Sequence, residues 1–303
     1  MTSATLQSEL VGREKESAQI RACIEMRRNV LLEGPVGVGK TQLAQVITES
    51  LGRPWIRVDG DNRFTEQKLT GWFDPPTVVK KGFTWDSFFS GPLVEAMKKG
   101  AVLFINEFNR LPEGVQNLLL PAIDERLIQI PRLGEIRAHE NFAVIATQNP
   151  RDFVATTHLS EALLDRFEWI QLGYQSEEDE RKIVLSKLAD FGIVNAQSLQ
   201  VVEAAVRLVR LTRTHSRIRR GASIRAAIGV AELTLAFLKQ KQHLKEAFLN
   251  AVLMALPTRI ELDRDSDTAS GTSQEELEAL LRSLVALAFD PAQSNADSSE
   301  KKK

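Results

Sequence analysis

The segment Gly34-Pro35-Val36-Gly37-Val38-Gly39-Lys40-Thr41 constrains this chain more than any other. It matches the pattern G-x-x-x-x-G-K-[ST], and each part has a physical reason. The glycines let the backbone curl so that its N–H groups point at phosphate oxygens. A helix starting here adds the positive end of its dipole. Lys40 places a point charge on the outer phosphates, and the Thr41 hydroxyl is an oxygen ligand of the kind Mg²⁺ takes. The flanks agree. Val30, Leu31 and Leu32 make a short apolar run that reads as a buried strand, and Leu43, Ala44, Val46 and Ile47 make one face of a helix over 41–51. This order of strand, loop and helix predicts a nucleotide site built by Gly34, Pro35, Val36, Gly37, Val38, Gly39, Lys40 and Thr41.

The surrounding pattern predicts an α/β fold. A helix is expected over 11–28, and strands over 29–33, 55–59, 101–105, 142–147 and 167–172. Strands alternating with helices argue for a mainly parallel sheet covered on both faces. After about Gln175 the apolar residues recur at helical spacing through 177–188, 196–213, 223–239 and 244–256, with no strand pattern between them. The expected domains are a nucleotide-binding αβα domain over 1–175 and a smaller all-helical lid over 176–262. A linker, a short helix and a disordered tail follow over 263–303. In that tail Ser273 and Glu276 have capping-box spacing, and Leu277, Leu280, Leu281, Leu284 and Val285 form one apolar face suited to docking on the lid.

Bulk properties narrow the classes. The 303 residues are 43% hydrophobic and 26% charged, which can support a sizeable core. The net charge of -1 gives no global field toward nucleic acid or an anionic membrane. A lone cysteine, Cys23, cannot form an internal disulfide and fits a reducing compartment. The first ten residues have no apolar signal core, and no stretch approaches the roughly 18 apolar residues that span a bilayer. A cytoplasmic protein without membrane partners is the expectation.

Nucleotide hydrolysis also needs a group near the metal and a base for the attacking water. Val102-Leu103-Phe104-Ile105 is an apolar run followed by Asn106-Glu107. Glu107 is placed to polarise water. Asn106 stands where an aspartate is usual; its amide oxygen can accept hydrogen bonds from metal-bound water but carries no charge. Binding should therefore survive better than fast hydrolysis.

Taken in order, these segments resemble MoxR-type AAA+ ATPases. Asn106-Glu107-Phe108-Asn109-Arg110 is similar to D-E-[IL]-N-R. Leu10-Val11-Gly12-Arg13 resembles an opening box near the adenine, so Val11 and Gly12 join the binding residues. Ala146-Thr147-Gln148-Asn149-Pro150 resembles A-T-Q-N-P, with Asn149 as first sensor. Residues 159–167 resemble L-P-E-A-x-x-D-R-F, with Arg166 as arginine finger. Gly221-Ala222-Ser223-Ile224-Arg225-Ala226 resembles G-A-S-P-R-A, with Arg225 as second sensor. The resemblance covers about residues 10–262.

The resemblance implies ATP and Mg²⁺ as cofactors, with Thr41 and Asn106 at the metal and Glu107, Asn149, Arg166 and Arg225 as catalytic residues. It implies a site shared between subunits of a ring, with a hexamer as the expected form, and chaperone-like work beside a von Willebrand factor A domain protein. Arg110 and Asp165 are candidates for a subunit-interface salt bridge. Residues 70–93 look like an insert in the second helix, and 127–138 like a hairpin around Arg132-Leu133-Gly134. Trp72, Phe73, Phe83, Trp85 and Phe88 are read as local core before contact patch. The arginines over 207–220 lack interleaved aromatics, so a solvated or interface face is preferred to nucleic acid. Two other readings stay open: a nucleotide-gated scaffold with weak turnover, and a nucleic-acid-associated or GTP-using machine.

Overall fold

The computed structural model describes residues 10–149, 159–190, 196–263 and 273–289. Pro150, most of the expected linker and the terminal tail lie outside the described residues, as does the side chain of Ser273. The chain divides into two compact units, one up to Tyr174 and one from Gln175 onward.

In the first unit a helix, Glu14–Glu25, precedes β1, Asn29–Glu33; a second helix, Lys40–Ser50, leads to β2, Trp55–Asp59. A short helix, Glu66–Thr70, is then interrupted by β3 (Gly71–Phe73), a helix over Pro75–Lys81 and β4 (Phe88–Ser90) before helical structure resumes at Pro92–Lys99. Strand β5, Val102–Asn106, follows; then a hairpin of β6 (Leu127–Ile130) and β7 (Gly134–Arg137), strand β8 (Ala143–Gln148) and β9 (Phe167–Gln171). The five central strands are parallel in the order β2-β5-β8-β1-β9. Parallel strands need both faces covered, and the alternation of side chains supplies two apolar faces. Val30, Leu32, Val102 and Phe104 meet the helices Glu14–Glu25 and Lys40–Ser50 through Ile20, Ile24, Leu43 and Ile47. Leu31, Leu103, Ile105 and Val144 meet Leu93, Val94, Met97 and Phe108 on the other face. Each such buried side chain is worth about 1.5–3 kcal/mol against exposure.

The insert and the hairpin form as expected, but only part of the insert's aromatic set is core: Phe88 packs against the core of the sheet and Phe73 is half-buried. Trp72, Phe83, Trp85 and Phe89 remain 42–54% exposed, although Phe73 packs edge-on against Phe83 and Phe88. The insert is too small to enclose them. The hairpin tip meets it: the Arg132 guanidinium lies 4.1 Å over the Phe83 ring.

The second unit is helical, with helices Glu177–Ala189, Ala196–Thr214, Ile224–Lys239 and Leu244–Ala255. The final helix, Ser273–Phe289, buries Leu281, Leu284 and Ala288 in the same core as Val202, Val209, Ala227 and Val252. The uninterrupted helical pattern needs one correction. A ribbon of β10 (Ile218–Arg220) and β11 (Glu261–Leu262) pairs antiparallel, joining residues too distant in sequence for local periodicity to reveal. The basic stretch is absorbed within this unit. Arg210 and Arg213 both grip Glu180, which is 1% exposed, at 3.1 and 2.7 Å. Arg207 donates to the Ala288 carbonyl, Arg217 faces Glu276, and Arg219 and Arg220 face Glu261.

Candidate functional site

The site residues of the first unit gather where parallel strands end. The adjacent strands β5, β8 and β1 run directly into Glu107, Asn149 and the phosphate loop, respectively. Ligands of open α/β sheets lie beyond these carboxyl ends.

The loop is built for a phosphate. Gly37 and Gly39 have φ of 83° and 88°, a region side chains seldom enter, and the helix Lys40–Ser50 starts at once after them. The Lys40 ammonium donates to the carbonyls of Gly34 and Pro35 at 2.6 and 3.0 Å, which holds its charge inside the curl. Neighbouring strands fix the loop's entry. Gln148 donates to the Glu33 carboxylate at 2.5 Å, and Leu172 N–H donates to the Glu33 carbonyl at 2.7 Å. Val38 is buried among the apolar residues beneath the loop, while Val36 is 51% exposed.

One residue that sequence reasoning passed over ties the loop to its surroundings. Arg13 is 5% exposed, directly after Val11 and Gly12, and donates to the Val38 carbonyl at 3.2 Å and the Gly173 carbonyl at 2.6 Å. It also pairs with Glu16 at 2.9 Å. The box around Val11 and Gly12 is thereby brought beside the phosphate loop. Its sequence signal was its place as the last residue of the opening box Leu10-Val11-Gly12-Arg13.

At the end of β5 the chain turns sharply. Glu107 adopts φ 55° and ψ 53°, a left-handed conformation that costs a glutamate about 1–2 kcal/mol. Such strain persists only where the surroundings enforce it, and it clusters at functional positions. Glu107 N–H donates to the Thr147 hydroxyl at 3.0 Å, and that hydroxyl donates to the Asn106 side-chain oxygen at 3.1 Å. The Asn106 amide nitrogen donates to Asp59 at 2.9 Å. The guanidinium of Arg57 beside Asp59 holds that carboxyl below the usual range, and the Asn106 amide adds to this. The Glu107 carboxylate itself pairs with Arg110 at 2.9 Å, so Arg110 has a partner within its own turn.

Arg166 does not join these residues: it precedes β9 at the amino ends of the strands, where its carbonyl accepts from the Asn29 amide at 3.4 Å. Its Nε lies 2.6 Å from the Asp124 carboxylate and its Nη1 donates to the Ala162 carbonyl at 2.6 Å. Asp165, 87% exposed, is 3.7 Å from the same guanidinium. Arg225 belongs to the second unit, exposed in the first turn of its helix, where its carbonyl accepts from Arg259.

The donor set suits a hard divalent cation with a nucleotide phosphate. Thr41, Asn106, Glu107 and Asp59 offer hydroxyl, amide and carboxylate oxygens and no sulfur. Thr41 and Asn106 are the residues that would hold Mg²⁺.

Comparison with known proteins accords with this geometry. The AAA domain family, dynein-related subfamily, matches residues 29–167. The gas vesicle ATPase GvpN of Haloferax mediterranei is 30% identical over 71% of this chain and 64% of its own length. The chain thus spans somewhat less than two thirds of that relative. An uncharacterized protein of Staphylococcus epidermidis is 30% identical over 70% of this chain and 80% of its own. The RuvB Holliday junction branch migration motor of Thermotoga maritima shares the fold. Its TM-score is 0.54 at 20% identity, over 80% of this chain and 70% of that one. In keeping with the MoxR-type resemblance of its motifs, the chain belongs to the AAA domain family, dynein-related subfamily.

Proposed function

We propose that this chain is a MoxR-type ATPase that hydrolyses ATP in an oligomeric ring to remodel, mature or activate a partner protein. The observation that carries the reading is the convergence of the phosphate loop, Glu107 and Asn149 at the ends of three adjacent strands. Lys40 and the loop N–H groups bind the outer phosphates. Glu107 polarises the attacking water, and Asn149 orients it. Bound Mg²⁺ would neutralise charge on the phosphate oxygens. Arg166 acts on the site of the next subunit, in a ring with a hexamer as the expected form, and Arg225 couples the helical unit to nucleotide state. Relatives named gas vesicle ATPases support the reaction. The half-exposed aromatics of the insert, with the hairpin beside them, support contact with a partner protein. A von Willebrand factor A domain protein is the partner class proposed, and the cytoplasm the compartment. No helix among the described residues is long and apolar enough to cross a membrane.

The test is phosphate release from purified protein at saturating Mg-ATP against Lys40→Ala. Release well above that control is expected; none, with nucleotide still bound by the wild type, would contradict the enzyme reading. Two observations favour the second reading, a nucleotide-gated scaffold: the uncharged Asn106 and the ion pair that occupies Glu107. The acidic partners of the arginines at 210, 213, 217, 219 and 220 weigh against a nucleic-acid face.

A further inference from the structure

We infer that Asp59 supplies, from the neighbouring strand, the negative charge that Asn106 lacks. This rests on the nucleotide-binding reading above. Asp59 and Asn106 are register partners at the ends of β2 and β5, and the Asn106 amide donates to the Asp59 carboxylate at 2.9 Å. The two strand ends are locked together beyond that pair. Gly60 N–H donates to the Asn106 carbonyl at 2.7 Å, and a Cβ on Gly60 would overlap the Glu107 carbonyl. Any residue other than glycine would push Asp59 away from Asn106.

Two physical consequences follow. Coulomb attraction falls as the reciprocal of distance, so moving a carboxylate about 3 Å farther from a cation keeps roughly half of its pull. An amide that donates to a carboxylate is also polarised, and its oxygen becomes a better acceptor. Asn106 therefore acts as a relay: its nitrogen is engaged by Asp59, and its oxygen lies among the groups offered to metal-bound water. Thr147 fixes the orientation, since its hydroxyl donates to that oxygen while accepting from Glu107 N–H. Arg57 shares the same carboxylate, with Nε 3.0 Å from Oδ2 and Nη2 2.6 Å from Oδ1; both side chains are about half-exposed, so solvent screens the pair and leaves Asp59 part of its charge for Asn106. Asp59 is thus a positioning residue that works through Asn106.

The experiment measures equilibrium ATP affinity with excess Mg²⁺ and with EDTA, in the wild type, Asp59→Asn and the double variant Asp59→Asn/Asn106→Asp. Asp59→Asn should cut the Mg²⁺-dependent gain in affinity by about 10- to 100-fold, the usual effect of losing an outer-shell partner. Affinity in EDTA should be unchanged. The double variant, with its carboxylate moved to β5, should recover the gain. A wild-type gain in Asp59→Asn, or no recovery in the double variant, would overturn the inference alone. Loss of affinity in EDTA as well would make Asp59 a structural residue and overturn it too. A wild type that binds no ATP in either condition would overturn the nucleotide reading along with it.

Discussion

The ends of β1 and β5 sit in one sheet, separated only by β8, yet they differ in kind. After β1 every position of the phosphate loop follows its chemical pattern, and the lysine is already inside the curl. After β5 the pattern departs. Asn106 is uncharged, Glu107 sits on strained backbone, and its carboxylate is occupied by Arg110. The first end is a finished anion site that needs only backbone N–H groups and one cation. The second must be rearranged before it can polarise water. On the proposed function, metal-independent phosphate binding and turnover depend on different strands and should respond separately to substitution.

That separation can be attacked from several sides. The largest effect is expected at Arg166. If it serves the neighbouring subunit, Arg166→Ala lowers turnover of the assembled protein by about 10³–10⁵-fold while ATP affinity holds. Equal turnover in the two proteins, at concentrations where both assemble, would remove the shared site. Glu107→Gln comes next. Loss of a positioned base costs about 10²–10⁴-fold in phosphate release, and bound ATP should persist long enough to capture partner proteins. Retained turnover would move the base elsewhere. Arg110→Ala should act the other way. An ion pair of this exposure is worth about 0.2–1 kcal/mol, so freeing Glu107 should raise turnover by at most about fivefold. A fall would show that Arg110 is needed in place. The smallest change belongs to Asp124→Ala, which loosens a half-exposed contact to Arg166. Turnover should drop by less than about fivefold, with affinity in single-subunit binding assays unaltered.

Much of the architecture was legible because the sheet is parallel and buried. Asn29–Glu33 and Trp55–Asp59 are found at the boundaries their apolar runs suggest, and the other central strands shift by one residue. The helices of the second unit likewise follow their periodicity. What stayed hidden depends on contacts between distant residues. The pairing of Ile218 with Leu262 leaves no mark on local pattern. Glu180 reads as one more acidic residue at the start of a helix, and its burial follows only from the arrival of Arg210 and Arg213. Among the insert's aromatics Phe88 does pack on the core, but Trp72, Phe83 and Trp85 looked like core only because aromatics usually are; the fold places too little chain around them to cover them. At the site the loop residues carried their own signature, whereas Arg13, Asp59 and Thr147 act through geometry. Asp59 ends an unremarkable strand, and only its register with Asn106 draws attention to it.

The most direct test of the account is an equilibrium ATP-binding titration of Lys40→Ala and Glu107→Gln beside the wild type. Lys40→Ala should lose most of its affinity, since its charge-assisted contacts to phosphate are removed, while Glu107→Gln should bind as tightly as the wild type. Parallel losses in the two variants, or intact binding in Lys40→Ala, would contradict the separation of phosphate binding at β1 from water activation by Glu107.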